Sequence, residues 1–285
     1  MSRETLTVAA AQIACASGDV AANLARHLEL IAEARARGAD VLVFPELSLT
    51  DYLSTPDLGS LALAPMSREI GALADAARNI AVSFGFIERD DFGTFYNAQA
   101  LVAGGCIVQA HRKANLPTYG QLREGEYFRP GGAIHLASLP GNWRLATLIC
   151  ADLWNPALPW LTALRGADLH VVPAASSLDA VGHGFDNPAG WDLVLRHNAM
   201  IYGLPIVMAN HCGTRGAFRF WGGSRILDAT GKELARAADG EGLISATIDR
   251  TGIQAARARL PTIRDANPEL IQTELTRILA ERRST

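Results

Sequence analysis

Val41-Leu42-Val43-Phe44-Pro45-Glu46 is a run of apolar residues that ends on a carboxylate. Its apolar part, Val41 to Phe44, reads as a strand. Upstream, Val20 to Arg37 sets Leu24, Leu28 and Ile31 at helical spacing with Gly38 just past the end, and Thr5 to Ile13 reads as a buried strand. A strand, a helix and a strand thus succeed one another, and the same alternation recurs downstream. A helix from about Ser67 to Asn79 precedes a strand from Ala81 to Ile87, and Gly104-Gly105 turns the strands Phe95 to Ala103 and Cys106 to His111 into a hairpin. Beyond these come a strand ending at Ile149, a helix near Leu158 to Leu164, a strand from Leu169 to Val172, a helix from Trp191 to Tyr202 and a strand from Ile206 to Ala209. Two short strands, around Ser224 to Leu227 and Leu243 to Ile248, flank a turn containing Gly231.

Strands alternating with helices and interrupted by hairpins predict an α/β sandwich with mixed sheets. No repeat, linker or low-complexity tract divides the sequence, so a single domain over 1–285 is expected, with a helical extension from about residue 260. The last helix, Pro268 to Glu281, carries Leu270, Ile271, Leu275, Ile278 and Leu279 as an apolar stripe that is expected to cover the body or a second subunit.

The bulk properties narrow the function. Of the 285 residues 49% are hydrophobic and 19% charged, enough to bury a large core. A formal charge of -3, from 26 basic and 29 acidic residues, leaves no basic excess for a phosphate backbone, so nucleic acid is a poor partner. Apolar stretches such as Val171 to Leu178 are cut by proline and polar residues before they reach bilayer length, and no membrane partner is expected. The opening Met-Ser-Arg-Glu-Thr lacks the features of a secretory signal. Cys15, Cys106, Cys150 and Cys212 lie too far apart for a dense disulfide framework or a zinc spacing, so reduced thiols and a cytoplasmic location are expected.

Three segments share the layout of the opening one: Val-Leu-Val-Phe-Pro-Glu46, Ile-Val-Gln-Ala-His-Arg-Lys113 and Leu-Ala-Thr-Leu-Ile-Cys150. Strand ends are where α/β sheets form ligand crevices, so the three side chains can reach one site. A catalytic thiol needs a base to make it a thiolate and a positive charge for the oxyanion it generates. Glu46 fits the first role and Lys113, with a backbone N–H beside Cys150, the second.

These segments resemble the nitrilase or carbon-nitrogen hydrolase superfamily. The Glu motif is similar to Val-Leu-Val-Phe-Pro-Glu46-Leu, the Lys motif to His-Arg-Lys113-Ala-Asn-Leu-Pro and the Cys motif to Leu-Ile-Cys150-Ala-Asp-Leu-Trp-Asn-Pro. A second glutamate matches Glu124 in Leu-Arg-Glu-Gly-Glu-Tyr-Phe-Arg-Pro-Gly, and lesser similarities include Val-Ala-Ala-Ala-Gln-Ile, Phe-Tyr-Asn97-Ala-Gln-Ala and Gly-Gly-Ser-Arg-Ile-Leu-Asp-Ala-Thr-Gly. The resemblance covers roughly residues 5 to 250 with its motifs in order. It implies a four-layer α-β-β-α sandwich of nitrilase type, homodimeric or a higher homo-oligomer, with no metal or organic cofactor. It implies hydrolysis of a linear amide or carbamoyl C–N bond of a small molecule through a thioester, with Glu46, Lys113, Cys150 and Glu124 catalytic.

Each residue also has a plainer reading. Alone, Cys150 would be a small buried hydrophobe, Glu46 a helix N-terminal carboxylate and Lys113 a solvated strand end. Glu124 and Glu126 are both readable as loop carboxylates, and Glu124 is preferred from its placement before Tyr127-Phe128. Cys15, Cys106 and Cys212 lack neighbouring Glu and Lys motifs and are read as inert. The seven histidines form no paired ligand motif, so no metal site is expected. Asp152 reads first as a structural hydrogen-bond acceptor and second as a substrate contact. His211, Tyr119 and Trp154 are the other substrate-binding candidates.

Nitrile-cleaving relatives typically carry Trp-Glu after the cysteine, whereas Ala151-Asp152 looks more like the amidase branches. Carboxylate-reading branches can carry an arginine soon after the cysteine, where this chain has Leu153-Trp154-Asn155. A neutral or aromatic amide is therefore expected over a dicarboxylate monoamide. The Asp-Leu-Trp run also resembles the amidase domain of glutamine-dependent NAD synthetases, without a synthetase domain or ATP loop. True nitrilase activity, acyl transfer from the same thioester, and a catalytically silent binding protein are the alternatives.

Overall fold

The computed structural model describes residues 3–52 and 58–284. The N-terminal part runs through β1 (Thr5–Gln12), α1 (Val20–Ala36), β2 (Val41–Val43), α2 (Arg68–Ala76), β3 (Ala81–Arg89), β4 (Phe95–Ala103) and β5 (Cys106–Arg112). After α3 (Glu124–Tyr127) come β6 (Leu136–Leu139), β7 (Trp143–Thr147), α4 (Ala151–Trp154), α5 (Ala157–Leu164), β8 (Leu169–Ala174), α6 (Asn187–Tyr202) and β9 (Ile206–Asn210). The chain continues with β10 (Cys212–Arg215), β11 (Phe218–Trp221), β12 (Arg225–Leu227), β13 (Glu233–Arg236), β14 (Gly242–Asp249), α7 (Arg250–Arg259) and α8 (Pro268–Ser284).

The strands form two six-stranded sheets, ordered β14-β1-β2-β3-β4-β5 and β13-β12-β9-β8-β7-β6, and a separate β10-β11 ribbon. Both sheets have a parallel centre, β1-β2-β3 in one and β7-β8-β9 in the other, with antiparallel strands outside. Parallel strands are buried on both faces, which is why their sequences read as unbroken apolar runs.

Side chains of successive residues then divide between two cores. Leu6, Val8, Ala10, Val41 and Val43 meet Leu145, Leu169, Val171, Val207 and Ala209 between the sheets. The intervening Ala9, Ala11, Leu42 and Phe44 pack outward against Leu30 and Ile31 of α1 and Ile70 and Leu73 of α2. Val172, Ala174, Ile206 and Met208 likewise face Trp191, Leu195 and Ala199 of α6. The result is the expected four-layer α-β-β-α sandwich.

The helix ends follow local chemistry. Asp19 caps α1 by accepting from the Ala22 N–H at 2.9 Å, and Asp186 caps α6 by accepting from the Ala189 N–H at 3.0 Å. The Gly104-Gly105 hairpin forms as expected, with φ of 60° and 83° at the two glycines.

Two readings of the C-terminal third are corrected. The strand across the Gly231 turn from β12 is β13, and the 243–248 segment instead lies in the other sheet as β14, antiparallel to β1. β13 carries Glu233 and Arg236 at a sheet edge, so it lacks the apolar pattern that marks a strand in sequence. Helix α7 was also not expected; Asp249 starts it by accepting from the Gly252 N–H at 2.6 Å. On α8 the apolar stripe faces away from the body of this chain, with Leu270 and Leu275 each 53% exposed. Among the described residues, no helix is long and apolar enough to cross a membrane.

Candidate active site

The candidate side chains sit where strands end. Glu46 follows β2, Lys113 follows β5 and Cys150 lies three residues beyond β7, at the same end of the sandwich. β5 is antiparallel to β4, which is antiparallel to β3, and β3 is parallel to β2, so the C-terminal ends of β5 and β2 emerge at the same end of the sheet. The Lys113 N–H continues the ladder by donating to the Asn97 carbonyl at 2.8 Å, which fixes where its side chain departs.

The Lys113 ammonium is fully buried and clamped between two carboxylates. It donates to Glu46 Oε1 at 2.6 Å and approaches Glu124 Oε1 at 2.8 Å and Oε2 at 2.7 Å. The remaining oxygen sites are also engaged. Asn97 Nδ2 donates to Glu46 Oε1 at 2.7 Å, the Ala175 N–H donates to Glu46 Oε2 at 2.9 Å, and the Tyr52 hydroxyl donates to Glu124 Oε1 at 2.9 Å. Such saturation is what makes three buried charges tolerable, since each loses its hydration.

Electrostatics follow from this packing. Burial opposes the charge on Lys113, but Glu124 and Glu46 outweigh it and hold the ammonium well above the usual lysine range. Burial, helped by the negative charge of Glu46, pushes Glu124 up to about 7 against the pull of Lys113. The Cys150 thiol is pushed well above its ordinary value by burial and by Glu46, while Lys113 and the Ala175 N–H pull it down. At rest it is therefore a thiol, and it needs a base to become a nucleophile.

Cys150 occupies a strained turn, with φ 45° and ψ -101°, between β7 and α4. A non-glycine residue there costs about 1–3 kcal/mol. Its neighbour Asp152 holds the turn. Asp152 Oδ1 accepts from the Ala114 N–H at 3.1 Å, the Asn115 N–H at 2.8 Å and Asn115 Nδ2 at 3.1 Å, and Oδ2 accepts from the Ile149 N–H at 3.1 Å and His111 Nε2 at 3.0 Å. The segment after Lys113 is thereby tied to the cysteine turn.

Cys150 opens onto a cavity of about 260 Å³, which Glu124, Tyr52, Tyr119, Trp154 and Ser176 also line. Glu46 and Lys113 lie buried behind its wall. Of the expected substrate contacts, Trp154 and Tyr119 line this space, whereas Asp152 and His211 do not. Asp152 has both oxygens occupied by the protein, and His211 Nε2 donates to the Glu46 carbonyl at 2.6 Å, beneath the site. Both position other residues.

Tyr52, Asn97 and Ala175 join the charged cluster without having been singled out from sequence. Asn97 was visible only as part of a motif, and Ala175 obeys the same strand-end rule just past β8. A buried cluster of Cys15, Asp51 and His211 has donor atoms within 4.8 Å of one another, but the Cys15 thiol donates to the Ser48 carbonyl at 3.0 Å and Arg215 Nε stands 3.6 Å from Asp51 Oδ2. An arginine in that place supplies the positive charge a metal would bring.

With this geometry in place, comparison with known proteins places the chain among relatives. The carbon-nitrogen hydrolase family model matches residues 7–258. A Pseudomonas protegens protein named "Hydrolase in pqqF 5'region" is 34% identical over 272 residues, covering 94% of this chain and 91% of that protein. A glutamine-dependent NAD(+) synthetase of Thermotoga maritima is 33% identical over 232 residues, which are 80% of this chain but only 39% of the synthetase. In three dimensions, a carbon-nitrogen hydrolase from Helicobacter pylori G27 superposes with a TM-score of 0.86 at 22% identity, covering 95% of this chain and 98% of that one.

The Asp152 latch makes a stability prediction. Asp152→Ala leaves several buried N–H groups without an acceptor and should lower the unfolding free energy by about 3–5 kcal/mol in urea titration. A loss below about 1 kcal/mol would mean that those donors find other acceptors.

Proposed function

We propose, on the premise that this chain belongs to the carbon-nitrogen hydrolase family, that it hydrolyses a linear amide or carbamoyl C–N bond through a thioester on Cys150. The observation that carries this reading is the buried Glu46–Lys113–Glu124 chain set against a thiol that opens onto a cavity.

Glu46 takes the thiol proton while Cys150 Sγ attacks the carbonyl carbon. Lys113 Nζ lies within 2.8 Å of Glu46 Oε1 and of both oxygens of Glu124, and in the reaction one of its three N–H bonds turns to the developing oxyanion. As the tetrahedral species collapses, Glu46 passes its proton to the leaving nitrogen, the C–N bond breaks, and ammonia or an amine departs. Water then gives a proton to Glu46 and attacks the thioester carbon. Breaking the C–S bond releases the acid and returns the proton to sulfur. Glu124 and Tyr52 touch this chemistry only through the lysine they hold.

A trial amide should add its acyl mass to Cys150 in intact-protein mass spectrometry, and water alone should discharge it. Cys150→Ala should keep the fold and lose turnover by about 10⁵-fold or more. Release of the adduct only on adding an amine would change the reading to acyl transfer. Absence of any adduct, or near-normal turnover by Lys113→Ala, would remove the mechanism.

The pH dependence has a defined sign. Glu124 takes up a proton as pH falls through about 7, and Lys113 then loses one of the two negative charges that hold its ammonium in place. The kcat/KM profile should fall on the acid side with an apparent pKa near 7, and Glu124→Gln should flatten that limb while lowering the plateau. An unchanged acid limb in the variant assigns it to another group.

The exposed stripe of α8 supports a homo-oligomer in which a second copy covers Leu270, Leu275 and Leu279. Leu275→Glu should lower the mass seen by sedimentation, and an unaltered mass would place the contact elsewhere.

A further inference from the structure

We infer that the cavity beside Cys150 takes an uncharged, ring-bearing acyl chain, and that the Ser176 hydroxyl meets a single hydrogen-bond acceptor on it. The inference rests on the reaction proposed above and deepens it.

Two independent observations carry it. The first concerns charge. Among the described residues lining the cavity, Glu124 alone is charged, and both its oxygens are occupied by Lys113 and one also by Tyr52. A substrate carboxylate finds no arginine, lysine or histidine there, and a substrate ammonium finds no free carboxylate. Bringing either in would strand a charge away from water. The wall is instead aromatic. The Trp154 ring lies 5.5 Å from that of Trp191, edge-on, and 6.2 Å from that of Phe185. A cavity of about 260 Å³ with such a wall accommodates a phenyl-sized group beyond the reacting carbonyl.

The second observation is Ser176, 4% exposed and part of the same lining. Its oxygen accepts from three N–H groups: Trp191 Nε1 at 2.8 Å, Asn187 Nδ2 at 2.9 Å and Trp221 Nε1 at 3.1 Å. The Asn187 amide is oriented by a second bond, from Nδ2 to the Ser177 carbonyl at 2.6 Å, so it does not turn its oxygen to Ser176. A hydroxyl has two lone pairs and one hydrogen. Here the lone pairs are oversubscribed, and among the described residues no acceptor takes the hydrogen. Three donors aimed at one oxygen also polarise its O–H and make it a stronger donor. A substrate oxygen is the complement, and a purely hydrocarbon acyl chain leaves that donor unpaired.

The test is an amide panel on the full-length protein. It compares 4-phenylbutanamide, its ether analogues 3-phenoxypropanamide and 2-(benzyloxy)acetamide, and the charged glutaric acid monoamide and 5-aminopentanamide. The neutral ring-bearing amides should exceed both charged ones in kcat/KM by about 100-fold, and one ether isomer should exceed the hydrocarbon by about tenfold. In Ser176→Ala, which also strips an acceptor from three donors, all rates should drop, but the ether-to-hydrocarbon ratio should collapse to about one. A purely structural role would lower both substrates alike and keep the ratio. Should that variant not fold, the wild-type ether scan decides alone. Equal or better turnover of a charged amide, no ether advantage, or a ratio preserved in the variant overturns the inference. If no amide acylates Cys150 at all, it is the proposed reaction that fails.

Discussion

A lysine ammonium held between two carboxylates inside the protein is the constraint on which the rest depends. Moving such charges out of water is costly, and the Coulombic gain compensates only where distances are short and the remaining lone pairs are bonded. The protein meets both conditions by drawing partners from distant segments. Glu46 comes from the end of β2, Lys113 from the end of β5, Glu124 from α3, and the completing donors from Asn97, Tyr52 and the Ala175 main chain. No single element can supply this set, so the cluster forms only when both sheets have docked. Its balance is incomplete, since two carboxylates face one ammonium. Glu124 is the group that registers the excess, pushed by burial up to about 7.

Aiming these side chains out of strands requires backbone that strands do not adopt. Leu47, Asp51 and Cys150 all have positive φ, at 52°, 70° and 45°, and a left-handed or neighbouring conformation at non-glycine residues costs about 1–3 kcal/mol each. The turns persist because their surroundings over-determine them. A side chain at Gly85 would bring its Cβ within 2.1 Å of the Leu47 nitrogen, so β3 can back the Glu46 turn closely only with glycine there. Ser48 Oγ accepts from the Gly85 N–H at 3.2 Å, and His211 holds the Glu46 carbonyl from the opposite sheet. The cysteine turn has its own anchor in Asp152, whose occupied oxygens leave no capacity for a ligand.

How much of this was legible in the sequence depends on what carries each signal. The parallel central strands were readable because burial on both faces demands unbroken apolar runs. Helices α1, α2 and α6 were readable because one buried stripe imposes a period. β13 was not, because an edge strand with half its side chains in water needs no apolar pattern. The three reactive residues at strand ends were visible as strand plus terminal polar group, a local feature. Asp152 and His211 stayed open between a structural and a substrate-binding role because a buried polar residue near a site looks the same in sequence whether its partners belong to the protein or to a ligand. Ser176 was invisible for a related reason: its donors, Asn187, Trp191 and Trp221, come from α6 and β11 and converge only in three dimensions.

The layout also separates two dielectric tasks. On one side of Cys150 lies a charged, hydrogen-bonded wall and on the other an apolar chamber. The dryness that strengthens the field of Lys113 is the same dryness that pushes the thiol up, so a free thiolate is disfavoured before substrate arrives. In the proposed reaction this is no obstacle, because the cluster never gains charge. The thiol proton moves to Glu46 as negative charge moves first to sulfur and then to the carbonyl oxygen, each within reach of the same ammonium. Proton transfer within a cluster of constant net charge avoids a fresh desolvation cost at each step. A buried Glu–Lys–Glu arrangement is thus better matched to relaying charge past a thiol than to stabilising a resting thiolate.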